Sequence, residues 1–254
     1  MILYLQPMLP RSDRARQHNP EVYGNDITTY RSTYSETGPN IPQLVLVEQP
    51  EPGSALLPHY HASDQFQVFM DGGGQLGKHS LQPLAIHYTN KFTGYGPIVA
   101  GPQGVAYYVF RPAADPLGAG QYVHRVESRQ RIKDYTGRRR MLMADGIAIA
   151  QTDALARLDD VATERLFAVG PEEPDAGTFA DIVSLGRNRR ITLADPANGG
   201  GQVVLVLAGG LRHEGGELEP RSAIALTRDE SSITLQAGEA GAQVLVMQYP
   251  RPHS

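Results

Sequence analysis

Two histidines separated by a single residue, His59 and His61, are the side chains of this sequence best suited to support chemistry. If they lie in a β-strand, they share one face with Gln65 and Gln67, because side chains alternate between the two faces. Their Cα atoms would then be about 7 Å apart. Two imidazoles at that distance can converge on one cation, about 2.0–2.1 Å from each nitrogen. The alternative is a polar pocket in which both histidines hydrogen-bond to these amides and to water.

A sequence repeat restricts this chemistry to one half of the chain. Residues 68–110 and 205–247 match each other at a constant offset of 137 residues (205 − 68), which aligns paired glycines and prolines. Self-similarity at a fixed period indicates a duplicated architecture. At this offset a proline and an asparagine replace His59 and His61 in the second copy. The repeated fold therefore does not require the two histidines.

His87 is a third candidate, because its counterpart in the second copy is the apolar Ile224, which should point into a core. An inward imidazole in the first copy could complete a three-histidine site with His59 and His61, or act as an acid or base beside it. A core histidine bonded to a backbone carbonyl is the third alternative.

Short alternating or apolar segments, separated by Gly and Pro, predict an all-β chain. Gly72-Gly73-Gly74, Gly199-Gly200-Gly201 and Pro102-Gln103-Gly104 are expected to be turns between strands. The predicted strands are residues 43–48, 64–70, 85–89, 105–110, 203–207, 223–227, 232–235 and 243–248. The predicted organisation is an N-terminal arm (1–40) that crosses onto the other domain or a partner subunit, a first domain (41–112), a linker with short elements (113–180) and a second domain (181–254).

The segment around the two histidines resembles the first motif of the cupin superfamily, in which His-x-His is followed after three or four residues by Glu and after six more by Gly. Gln65 stands in the Glu position and Gly72 in the Gly position. The resemblance covers roughly residues 40–112 and 180–250. It implies a bicupin, with two tandem cupin-type β-barrels (double-stranded β-helices, or jelly rolls) from an internal duplication.

The second cupin motif lacks its histidine in this sequence. Tyr95 takes the vacant position in one register, and Tyr107 takes it in a rival register. The turn expected at Pro102 precedes the last strand of the first copy, which favours Tyr95.

The resemblance implies a metal-dependent enzyme of the dioxygenase, isomerase or lyase type, which acts on a small organic molecule in the N-terminal barrel. One divalent transition metal, Fe(II), Mn, Ni or Zn, would be held by His59, His61, Gln65 and His87. His87 and Tyr95 would be catalytic, and the predicted substrate contacts are Gln67, Phe69, Tyr88 and Tyr107. The alternative is a non-catalytic small-molecule-binding cupin with a vestigial or absent metal site. The loss of the acidic ligand favours this alternative, because an amide removes one negative charge from a divalent site.

The composition of the chain limits the classes of partner that it is expected to bind. The net charge is −4, from 23 basic and 27 acidic residues, so there is no electrostatic footprint for nucleic acid or an anionic membrane. We identify no membrane span and no secretion signal, and we expect a cytoplasmic homodimer. The absence of cysteine excludes thiolate ligands and a cysteine nucleophile. No arginine pair for a carboxylate can be located from the sequence.

Overall fold

The structure of the chain is a computed structural model that describes residues 1–19, 27–36, 38–213 and 216–252. Strands account for 48% of the chain and helices for 7%, which confirms the all-β class. Part of the predicted arm, residues 20–26 and 37, lies outside the described residues. The chain divides into two compact units, one of residues 10–147 and one of residues 1–9 and 148–254.

The secondary structure consists of nineteen strands, two short α-helices and one 3-10 turn among the described residues. In chain order, the strands up to residue 147 are β1 (Ile2–Leu5), β2 (Ala15–Asn19), β3 (Ile27–Thr33), β4 (Gln43–Gln49), β5 (Ala55–Leu56), β6 (His59–Tyr60), β7 (Gln65–Leu76), β8 (His79–Leu81), β9 (Ile86–Thr89), β10 (Ile98–Arg111), β11 (Gln121–Tyr122) and β12 (Met141–Ala144). The later strands are β13 (Val161–Ala168), β14 (Phe179–Leu185), β15 (Arg190–Thr192), β16 (Gln202–His213), β17 (Gly216–Leu218), β18 (Ala223–Leu226) and β19 (Thr234–Gln248). The helices are α1 (Val126–Asp134) and α2 (Thr152–Ala156), and the 3-10 turn is Pro196–Asn198.

The first unit contains an antiparallel sheet of nine strands in the order β12-β9-β7-β10-β4-β3-β2, with β5 on β10 and β8 on β7. A separate two-stranded ribbon pairs β11 with β6. One face of β4, β7 and β10 contributes Val47, Phe69 and Val109 to a buried core. Side chains alternate between the two faces of each strand. Polar residues near the strand ends on the core-facing side therefore also point into the interior of this unit.

The second unit contains an eight-stranded sheet in the order β1-β18-β16-β19-β14-β13, with β15 on β19 and β17 on β16. Its β1 comes from the predicted arm and pairs with β18. The core of this unit includes Val204, Ile224 and Val244, which occupy the positions of Gln67, His87 and Tyr107 in the repeat. The second barrel therefore has an apolar filling where the first has polar side chains.

The duplication is visible in the strand boundaries. β7 and β16, β8 and β17, and β9 and β18 begin and end at the same offset of 137 residues (202 − 65). The backbone conformation also repeats at this offset: Gly72 has φ +69° and Gly209 has φ +65°. Each of these glycines packs against the carbonyl oxygen of an equivalent glycine, Gly104 or Gly241.

The prediction of turns is confirmed at Gly199 and Gly200, which lie in a turn between β15 and β16, but it is wrong at the other two segments. Gly72 to Gly74 lie inside β7, and Pro102 to Gly104 lie inside β10. The register between β7 and β10 shifts between Ala100 and Val105. The positive φ angles of these glycines are accommodated by irregular pairing within two long strands rather than by chain reversal.

We expect the substitution Gly72→Ala to destabilise the first unit more than Gly53→Ala. Both glycines have positive φ, which costs an alanine about 1–2 kcal/mol. A Cβ at Gly72 would lie 2.2 Å from the Gly104 carbonyl oxygen, whereas a Cβ at Gly53 meets nothing within 4 Å. Urea denaturation should therefore give a loss for Gly72→Ala that is larger by about 1–3 kcal/mol. Equal losses would contradict the packing described here.

Candidate functional site

The first unit contains a cavity of about 430 Å³, a volume typical of small-molecule sites. Five predicted residues lie in its wall: His59, His61, Gln67, Tyr95 and Tyr107. The cavity thus coincides with the polar end of the barrel interior.

The three predicted histidines are buried, and in each of them one ring nitrogen is hydrogen-bonded to an oxygen atom. Nδ1 of His59 is 2.8 Å from the carbonyl oxygen of Leu57, and Nδ1 of His87 is 2.8 Å from Oε1 of Gln67. Nδ1 of His61 lies 2.5 Å from a carboxylate oxygen of Asp115. Because these oxygens accept hydrogen bonds, each Nδ1 carries the proton and donates it. The Nε2 atom of each neutral ring therefore keeps its lone pair.

Burial keeps these histidines neutral. It lowers the pKa of His59 to about 4 and that of His87 to about 3. The pKa of His61 is lowered by burial and then by the positive charge of Arg111, despite the hydrogen bond to Asp115. For Asp115, burial raises the pKa but hydrogen bonds from His61 and the Leu117 amide outweigh it, so its pKa is lowered. The pair consequently consists of a neutral imidazole and a carboxylate.

Tyr95 lies beside two of the three histidines. Its backbone bridges to His59, and its ring centroid is 4.5 Å from that of His59 and 4.9 Å from that of His87. Nε2 of Gln65 donates a hydrogen bond of 2.6 Å to the Tyr95 hydroxyl. Burial raises the pKa of Tyr95 to about 12, so the phenol keeps its proton at neutral pH.

Arg111 is a site residue that the sequence prediction missed. The side chain is buried at the end of β10, and its Nε and Nη2 atoms lie 3.1 and 2.9 Å from Oε1 of Gln65. Nη2 also lies 3.1 Å from Nε2 of His61, and Nη1 donates to Oε1 of Gln43. The repeat carries a signal for this role, because Gln248 stands at the equivalent position and receives a hydrogen bond from Gln202. The first barrel has a cation where the second has an amide.

Two further arginines, Arg31 and Arg125, line the cavity. Arg31 reaches it because β3 pairs with β4, which aligns Arg31 with Val47. None of the described residues that line the cavity is acidic. Three guanidinium groups therefore stand against the nearby carboxylate of Asp115, which is bonded to His61. The site has an excess of positive charge, which the sequence analysis did not anticipate.

The segment that follows β10 forms one side of the site. The sequence places this segment in the predicted linker. It supplies Asp115, and its β11 pairs with β6 so that Tyr122 is aligned with His59. A Cβ at Gly120 would lie 2.7 Å from Cδ2 of His59 and 3.3 Å from Nε2 of His61. Only glycine leaves room for the two imidazoles at this point.

The remaining predicted residues lie outside the cavity wall. Phe69 is in the apolar core, with its ring centroid 5.1 Å from that of Tyr107. Tyr88 is on the other face of β9 and packs against Phe66, with the ring centroids 4.9 Å apart. This placement gives no geometric reason for a substrate contact by Tyr88. His87 lies behind Tyr95 and Gln67, and its Nε2 has no hydrogen-bond partner among the described residues.

The donor set does not fit a divalent metal ion. Over the residues that the structure describes, no cluster of three or more His, Asp or Glu side chains is arranged to hold a metal. The amide oxygen of Gln65 already accepts two hydrogen bonds from Arg111. The same guanidinium approaches His61, so a dication would meet a fixed positive charge.

Comparisons with known proteins identify the architecture. No protein-family model matches the sequence, and the search of curated proteins gives no significant match. Among solved structures, the cupin 2 conserved barrel domain protein of Leptotrichia buccalis is 9% identical, with a TM-score of 0.50 and coverage of 96% of this chain and 99% of that protein. The chain has a bicupin fold.

Two other solved structures share this fold. The bacterial pirin YhhW of Escherichia coli, in complex with nickel(II), is 12% identical, with a TM-score of 0.50 over 99% of this chain and all of the pirin. The oxalate decarboxylase of Lactobacillus farciminis, in complex with formate, is 10% identical, with a TM-score of 0.52 over 99% of this chain and 86% of the decarboxylase. At these identities the likeness concerns the fold alone. In the described part of the chain, no helix has the length and apolar character needed to cross a membrane.

Proposed function

We propose that the N-terminal barrel of this bicupin binds a small polar organic molecule directly through its side chains, without a metal ion. The observation that carries the proposal is the position of Arg111, whose guanidinium bonds to Gln65 and approaches Nε2 of His61. These are the side chains that would have to bind the metal. The guanidinium of Arg111 places a fixed positive charge among these side chains. This charge would repel a divalent metal ion.

The contrast between the two barrels supports a ligand site in the first one. Buried polar groups are costly in a barrel interior unless they are hydrogen-bonded. The second barrel avoids this cost with Val204, Ile224 and Val244, and it has the same strand boundaries. The first barrel retains the polar set together with a cavity, which is consistent with a ligand that uses these groups.

We expect the protein, purified without a chelator and without a histidine tag, to contain less than about 0.1 equivalent of Fe, Mn, Ni, Zn or Cu. Elemental analysis of the wild type and of the double variant His59→Ala/His61→Ala is the test. The reason is the guanidinium of Arg111 beside the paired imidazoles of the cavity wall. Near-stoichiometric metal in the wild type that disappears in the double variant would overturn the metal-free proposal.

The second candidate is the metal-dependent enzyme expected from the sequence, of the dioxygenase, isomerase or lyase type. One observation favours it: Nδ1 of His59 and of His61 each donates to an oxygen, which is the usual arrangement of metal-binding histidines. A pirin crystallised with nickel(II) also has the same fold. The elemental analysis separates the two candidates, because only the second requires bound metal.

A further inference from the structure

We infer that the ligand of the N-terminal barrel is a small carboxylic acid that carries a hydroxyl group. The inference rests on the proposed function, since it names the chemical class of the molecule bound there. Three properties of the cavity carry it: its charge, its hydrogen-bonding groups and its apolar wall.

The positive charge of the cavity wall favours an anionic ligand. Arg31, Arg111 and Arg125 line the cavity, and the carboxylate of Asp115 beside this wall is hydrogen-bonded to His61. No carboxylate in the described part of the chain forms an ion pair with Arg31. Both Arg31 and Arg111 lie in the same wall as His59. Guanidinium groups bind carboxylates in a planar, two-pronged geometry.

The orientation of Gln65 determines what Tyr95 offers a ligand. A guanidinium can only donate, so the atom of Gln65 that faces Arg111 must be its oxygen. The amide nitrogen of Gln65 therefore faces Tyr95 and donates to its hydroxyl oxygen. The phenolic proton of Tyr95 is not used in this contact, because the hydroxyl oxygen is the acceptor. Tyr95 consequently presents a donor to the cavity.

His59 presents the complementary acceptor. Its Nδ1 donates to the Leu57 carbonyl, so the lone pair of Nε2 is available in the same wall as the Tyr95 hydroxyl. A hydroxyl group matches this pair, because it accepts from one partner and donates to the other. Val47, Leu56 and Val109 supply apolar lining, which suits the carbon skeleton of a small acid.

The test is isothermal titration of the full chain with four hydroxy acids: lactate, malate, mandelate and salicylate. Each is compared with its amide and with the acid that lacks the hydroxyl. We expect at least one hydroxy acid to bind at least about tenfold more tightly than both of its analogues, because each analogue leaves a charged or polar partner unpaired.

Two variants locate the ligand. Arg31→Gln removes a half-buried cavity guanidinium and should weaken binding of the preferred acid at least about tenfold. Arg16→Gln removes an exposed guanidinium from the neighbouring strand β2 and should change the affinity less than about twofold. Tyr95→Phe should weaken the hydroxy acid but not the acid without the hydroxyl. Unchanged thermal unfolding of Arg31→Gln confirms that the comparison is between folded proteins.

The outcomes distinguish the inference from the proposed function. If amides bind as tightly as acids, or if Arg31→Gln and Arg16→Gln behave alike, the carboxylate class is overturned while small-molecule binding stands. If acids without the hydroxyl bind as tightly as hydroxy acids, the hydroxyl part is overturned. If no compound in any set binds, the inference is overturned, and the proposed function is decided separately by the elemental analysis.

Discussion

The free energy of unfolding of the N-terminal barrel is expected to fall by about 4 kcal/mol for each pH unit between about pH 6 and 4.5. The cause is the burial of three histidines, His59, His61 and His87, in the neutral form. In the unfolded chain a histidine takes up a proton near pH 6.5. The buried rings resist protonation until about pH 4 or below.

The sign follows from proton binding. In this pH window the unfolded chain binds about three more protons than the folded barrel, so stability is complete above pH 6.5 and is lost as the pH falls. Each histidine contributes about 1.4 kcal/mol per pH unit. Urea denaturation at a series of pH values, with the strands β7 and β10 followed by hydrogen exchange, measures the slope for this barrel.

A matched pair of variants isolates the imidazole. His87→Ile introduces the residue found in the second barrel and should reduce the slope by about one third. Gln67→Val also introduces the counterpart residue and breaks the same hydrogen bond, but it keeps all three histidines. Its slope should match that of the wild type even if its stability at pH 7 is lower. A flat profile in the wild type between pH 6 and 4.5 would contradict neutral burial.

Much of the fold is readable from the sequence, because duplication and alternation are local patterns. The constant offset predicts two barrels, and strands β7 and β16 share both boundaries at that offset. Alternation also predicts that Gln65 and Gln67 share a face, and both side chains contact the Tyr95 hydroxyl. Two of the glycine-rich segments mislead, because the sequence alone does not distinguish a bulge within a long strand from a turn.

The site is readable only in part, because its remaining residues come from distant segments. Arg31 belongs to the predicted arm, and Asp115 and Gly120 belong to the predicted linker. The register of β3 on β4 and of β11 on β6 brings the arm and the linker to the barrel. Arg111 directly follows the predicted strand 105–110, where its side chain could equally have reached solvent. The pairing of β10 with β4 aligns it with Gln43 and thereby buries it.

The position of Arg111 makes a second large effect testable: the double substitution Gln65→Glu/Arg111→Leu should create a divalent metal site. The rings of His59 and His61 are 5.3 Å apart by their centroids, and their Nε2 atoms carry lone pairs. The introduced carboxylate would supply the missing negative charge, and the loss of the guanidinium would remove the positive charge that now contacts His61. We expect nickel(II) or zinc(II) affinity to rise at least about a hundredfold over the wild type, measured by calorimetry.

The single substitutions are the controls, and the physical argument gives them different outcomes. In Gln65→Glu the new carboxylate should form a two-pronged ion pair with Arg111, since Nε and Nη2 already bond to the amide oxygen. That variant should bind no more metal than the wild type. Arg111→Leu removes the repulsion but leaves an amide in the ligand position, so its gain should be small. Equal metal binding by the double variant and by Gln65→Glu alone would mean that Arg111 does not exclude the metal.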